Sequence, residues 1–200
     1  MPVCKDREYR NLQQPLCCRK KEDGTNEPSY TVVGYATTFN APYVMFEDLD
    51  GTQYFEQIDA HALDGADMSD VIMQYDHEGR VFARQSNGTL KLTCDKQGLK
   101  IEADLSKTEL ARGLYEDIAA GMINKMSWAF IVTEDAYDAS TRTRTILKVK
   151  KVYDVSAVSI PANDDTNIAA RNFVNGRREQ EQQEQLAKRI ALLKIATLGI

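Results

Sequence analysis

Apolar residues along this chain recur mainly with a period of two, so most of the predicted elements are strands. Residues 30–39 (Tyr-Thr-Val-Val-Gly-Tyr-Ala-Thr-Thr-Phe) are rich in β-branched and aromatic side chains, with Gly34 marking a bulge or a close backbone approach. Asn40-Ala41-Pro42 breaks that strand. Shorter runs predict strands over 53–58, 71–75, 89–94 and 99–105, the last two joined by the turn Asp95-Lys96-Gln97-Gly98. A first short strand is expected over 8–12, with a hairpin turn at Asp23-Gly24, and a short polar helix carrying His61 is expected from Asp59. Between 126 and 132 the alternation puts Met126, Trp128, Phe130 and Val132 on one face, and Ser127, Ala129 and Ile131 on the other. The last alternating run, 146–160, places Val152, Asp154, Ser156, Val158 and Ile160 on one face. Pro161-Ala162-Asn163 then breaks it, and a loop follows through Asn167.

The helical period enters twice. Ser106 and Glu109 have the spacing of a capping box, and Leu110, Leu114 and Ile118 give the helix they open one stripe toward the core, with Gly121 as its stop. Residues 134–145 read as a polar loop between strands, long enough for a lid or a cleavable tip. After Gly176 a polar, charged run leads into a short apolar stripe of Leu186, Ile190 and Leu193. The chain thus divides into a polar segment (1–27), a domain (28–172) and an amphipathic tail (173–200) suited to attachment on a partner.

Composition narrows the function classes. Two hundred residues suit one domain with extensions. Lys+Arg 25 against Asp+Glu 30 leaves no large basic field for nucleic acid. No run has the length of a membrane span or the form of a signal peptide, so an intracellular protein with no membrane partner is expected. Cys4, Cys17, Cys18 and Cys94 lack the paired spacing of a zinc site and are expected as free thiols in a reducing cytoplasm. No metal and no cofactor is expected.

Candidate chemistry begins at Ser127, which has only small Ala129 beside it on its own face, the open setting a nucleophile needs. A strand serine more often hydrogen-bonds a neighbouring carbonyl, because a hydroxyl attacks only with a base beside it. The chain holds two histidines, and His77 lies where the strand 71–75 runs into the turn Asp76-His77-Glu78-Gly79. Asp154, among valines, is a carboxylate in need of a partner. Attacker, base and orienter for acyl transfer are therefore present as Ser127, His77 and Asp154. Asp76 adjoins His77, but at a strand end the two side chains would project to opposite faces.

The stretches around these three residues resemble the tailed-phage prohead maturation proteases, which are similar in fold to the herpesvirus assembly proteases. The pattern reads here as Tyr75-Asp76-His77, then Gly121 leading to Met126-Ser127-Trp128-Ala129-Phe130, then Asp154-Val155-Ser156-Ala157-Val158 with Pro161-Ala162-Asn163. Trp128-Ala129-Phe130 stands where Gly-Phe often follows the serine, and Asp154 stands where phage members commonly carry Glu. What the resemblance implies is a mainly β, α+β fold, a closed β-barrel surrounded by helices, with residues 28–172 as a serine protease domain. It further implies an endopeptidase inside the assembling prohead, in the host cytoplasm, that cleaves scaffold, the N-terminal arm of the major capsid protein, and itself. A homo-oligomer is expected. The 161–166 loop and Arg171 are candidates for the oxyanion site. The alternative is a non-enzymatic scaffold or capsid-assembly module built on the same barrel.

Overall fold

The computed structural model describes residues 7–12, 15–20, 27–159 and 164–197. Among them the chain is α+β, mostly strands with two helices. One sheet takes the order β1(Glu8–Leu12), β10(Lys125–Asp138), β11(Thr143–Val158), β5(Gln53–Ile58), β4(Tyr43–Glu47). β11 is long enough to have two parallel neighbours on one side, β5 along Thr143–Ile146 and β6(Ile72–Tyr75) along Asp154–Ala157; β7(Glu78–Arg84) pairs with β6. The second sheet has the order β2(Cys17–Cys18), β3(Thr31–Thr38), β9(Gly98–Asp104), β8(Leu90–Cys94). One apolar cluster draws on both sheets and on α1(Glu109–Ala119), with Val32, Met73, Ile101, Leu114, Trp128, Phe130 and Val155 all buried in it.

The expected closed barrel is met only in its coarse, strand-rich form, because among the described residues the pairings give two separate sheets. Several local expectations also change. The strand over 8–12 exists but pairs with β10, while β2 is the strand that pairs with β3; Asp23-Gly24 lies outside the described residues. No helix follows Asp59; turns take its place. The first helix is capped by Thr108, whose hydroxyl accepts from the Ala111 N–H at 3.1 Å, and Leu110 points outward while Ala111, Leu114, Tyr115 and Ile118 face the core. Residues 134–145 are not a loop. β10 and β11 continue as an antiparallel ribbon turned by only a few residues, with Asp138 opposite Thr143. The second helix, α2(Asp164–Thr197), starts within the expected loop and runs through the expected tail boundary without a break. Gly34 is the close approach expected of it, since a Cβ there would lie 3.1 Å from the Leu16 side chain. Gly98 is obligatory as well: a Cβ would sit 1.9 Å from the Thr37 carbonyl oxygen.

A buried charge cluster ties β1 into its sheet. Arg10 donates to Glu56 at 2.5 and 2.9 Å and to Glu8 at 2.5 Å, while Arg144 donates to Glu8, Glu56 and Asp135 at 2.7 to 3.0 Å. The Tyr43 hydroxyl donates to Glu56 too. Burial opposes ionisation of Glu56, but Arg10 and Arg144 outweigh it and hold the carboxyl at about 2. Burial likewise opposes the charge on both arginines, and the carboxylates overcome it, so both hold their protons more firmly than usual. α2 closes over this region. Phe173 lies under the Arg144 guanidinium at 4.5 Å, and Arg178 meets Tyr54 and Asp48.

Candidate active site

The site grows from four strand positions. β10 and β11 pair Ser127 with Ser156 and Ala129 with Asp154, so these four side chains share one face of the sheet. Ser127 and Asp154 stand on a diagonal of that square, a separation of roughly 7–8 Å in an antiparallel pair. An imidazole with a hydrogen bond at each nitrogen spans such a gap. Ala129, at another corner, leaves room for the ring.

His77 supplies it from the neighbouring hairpin. Tyr75 pairs with Glu78, so Asp76 and His77 are the two central residues of the tightest kind of hairpin connection. Both have positive φ, 49° for Asp76 and 61° for His77, as the turn that matches strand twist requires. The His77 Nε2 lies 2.6 Å from the Ser127 Oγ, and its Nδ1 lies 2.5 Å from the Asp154 Oδ1. A proton on Nδ1, donated to Asp154, leaves Nε2 free to accept the serine hydroxyl proton. Ser127 is 1% exposed, not in the open setting its small neighbour suggests, because His77 and Tyr9 cover that face; with Asp154 at 2%, these contacts act with little solvent screening. Tyr9, opposite Ala129 on β1, places its ring edge-on to the imidazole with centroids 4.7 Å apart.

All three residues singled out in the sequence are thus brought together, one of them by a route the alternation did not predict. The register of β11 against β10 skips Tyr153, pairing Ala129 with Asp154 but Phe130 with Val152. This bulge breaks the parity. Val152 packs in the apolar cluster, as do Val155 and Ala157, whereas Asp154 and Ser156 turn to the opposite face. The carboxylate therefore does not sit among valines; its partners are polar. Asp76 points elsewhere, accepting the Ser159 N–H at 2.9 Å and its hydroxyl at 2.8 Å, which fastens the hairpin to the end of β11. His61 is exposed and pairs with Asp64. Pro161-Ala162-Asn163 lie outside the described residues, as do the side chains of Thr166 and Arg171.

Sequence reasoning missed Tyr9, Ser156 and β7. Tyr9 carries no local signal, because its relevance comes from cross-strand pairing; Ser156 stands within the Asp154–Val158 motif, but its contact with Asp154 shows only in the folded strand. β7 was hidden by the Glu78-Gly79-Arg80 run, which resembles a turn. Cys17, Cys18 and Cys94 are free thiols, and among the described residues no group of acidic, His or Cys side chains could hold a metal ion.

A hydroxyl, an imidazole and a carboxylate joined in that order, on an α+β frame, are the working parts of a serine hydrolase. The model of the caudovirus prohead serine protease family matches residues 15–181, and the chain belongs to that family. It is accordingly a serine endopeptidase of bacteriophage capsid maturation. No curated protein and no solved structure matches the chain.

Proposed function

We propose that Ser127, His77 and Asp154 carry the peptidase chemistry. Ser127 Oγ attacks the scissile carbonyl while His77 Nε2 takes its proton; the same nitrogen returns that proton to the leaving amine, and water then releases the acyl group by the reverse sequence. Asp154 holds the tautomer with the proton on Nδ1 and balances the imidazolium as it forms. The observation that carries this reading is the unbroken line of contacts from the Ser127 hydroxyl through His77 to Asp154, at 2.6 and 2.5 Å. A serine-reactive phosphonate should label the chain once, at Ser127, as read by mass spectrometry of the digest. Labelling elsewhere, or none on a folded and proteolytically active chain, would overturn the assignment. The absence of both labelling and cleavage would favour the non-enzymatic scaffold.

The substrates in this reading are scaffold, the N-terminal arm of the major capsid protein, and the protease itself, cut inside the prohead in the host cytoplasm. Among the described residues no helix is long and apolar enough to cross a membrane. The tail serves recruitment. α2 packs on the body through Val174, through Arg177 over the Tyr137 ring and through Arg178, while Leu186, Ile190, Leu192 and Leu193 are exposed beyond it. That apolar row suits insertion against a partner helix in the assembling shell. Co-expression with the neighbouring capsid gene, with mass spectrometry of the products, tests the substrates. Truncation after Arg178 tests recruitment, with peptide cleavage expected to survive and co-assembly to fail.

A further inference from the structure

The triad reading leaves one buried hydroxyl at the site without a task. Ser156 is fully buried, stands directly across from Ser127, and donates its Oγ–H to the Asp154 Oδ1 at 2.8 Å. The acceptor is the same oxygen that meets His77 Nδ1. A carboxylate oxygen has two lone pairs, and one donor on each fixes the carboxylate plane. Asp154 is two residues from Ser156 on the same face of β11, so the hydroxyl braces it from its own strand, while His77 reaches it from the β6–β7 hairpin.

We propose that Ser156 is a positioning residue for the triad, acting through Asp154. It occupies one lone pair of Oδ1, so that the other stays aimed at Nδ1 and the carboxylate cannot turn about its last side-chain bond. Asp reaches a shorter distance than Glu, which leaves less slack for correcting a misaligned carboxylate. A serine brace matters correspondingly more. The hydroxyl donates to the carboxylate rather than to the Ser127 oxygen, and no covalent step is assigned to it. This inference rests on the Ser127–His77–Asp154 reading given above.

The test is a cycle of Ser156→Ala, Asp154→Asn and the double variant, assayed by single-turnover cleavage of a peptide the parent chain is shown to cut. A charge-assisted hydrogen bond that sets a catalytic angle predicts a loss of about tenfold in kcat for Ser156→Ala, with KM changed less than about twofold. In the Asp154→Asn background the same change should cost less than about twofold further, because there is no carboxylate left to steer. Ser156→Thr, which keeps the hydroxyl, should recover most of the rate. A readout independent of turnover is the His77 Nδ1 proton in the NMR spectrum, assigned with the aid of a His61→Gln variant. Loss of the brace should move it upfield and speed its exchange with water, while Ser156→Thr leaves it near its parent position. Equal losses in both backgrounds, or an unmoved Nδ1 proton, would overturn the proposal. A parent chain that fails to cleave or to label at Ser127 would instead overturn the triad reading.

Discussion

The sheet around β1 and β10 separates two buried polar groups, one on each face, and they are built for opposite ends. On the face of Trp128 and Phe130 lie Glu8 and Arg10 of β1, joined to Glu56 and Arg144 so that each charge meets several opposite partners. On the other face, Ser127, His77 and Asp154 form an open line with one contact at each step. The first arrangement holds its charges fixed, since both guanidiniums keep their protons more firmly than usual and Glu56 is held ionised by them. In the triad reading proposed above, the second must let a proton move. Saturation makes a clamp and linearity makes a relay, and one strand uses its alternation to keep the two apart.

The comparison can be broken at either face. Ser127→Ala should remove nearly all cleavage, a loss on the order of 10⁶-fold where such serines have been removed from other proteases. Its unfolding midpoint in denaturant should stay near that of the parent chain, since the clamp is untouched. Asp154→Asn should lower single-turnover cleavage by up to roughly 10⁴-fold through the wrong imidazole tautomer. At the clamp, Arg144→Met leaves Glu8, Glu56 and Asp135 short of a cation, and should lower unfolding free energy by about 3–5 kcal/mol, read by urea denaturation. Acid probes the same face. Glu56 falls from an ordinary 4.5 to about 2 in the folded chain, so between those values the unfolded chain binds the extra proton. The stability it contributes is complete above about pH 4.5 and drains away as pH falls through 2. Circular dichroism should show acid unfolding in that window, beginning at higher pH in Arg144→Met. The smallest effect belongs to Asp76→Asn, which keeps an acceptor for the Ser159 N–H and should cost less than about tenfold in cleavage. If it proves more damaging than Asp154→Asn, the triad must be redrawn around Asp76.

Much of the site was legible because its residues sit in short stretches with strong local character. An apolar strand ending at a histidine, and a serine flanked by Met126 and Trp128, need no tertiary information to be noticed. What could not be read was relative placement. The bulge at Tyr153 leaves no mark on the alternation of 146–160, so plain alternation joins Val152 to the face of Asp154, Ser156 and Val158, whereas only the last three share it. The exposed continuation of β10 and β11 reads as a loop in sequence because a solvated ribbon needs no apolar alternation to pair. β4 was missed behind Pro42 for a similar reason: most of its residues are at least partly exposed. The clamp was missed altogether, yet one signal was present. Glu56 shares a parity with Tyr54 and Ile58, both buried, and a carboxylate at a core position implies a cation brought to meet it.

The turn that carries His77 has a further consequence, for durability. Asn and Gly are the residues that rest most easily in the left-handed region this hairpin demands, and a histidine there costs about 1–2 kcal/mol of backbone strain. A lineage selected only for a long-lived fold would drift toward Asn-Gly at 76 and 77 and lose the imidazole on the way. That relief would leave the buried Asp154 carboxylate without its His77 partner, so the gain in hardiness should appear only where Asp154 is replaced along with the turn.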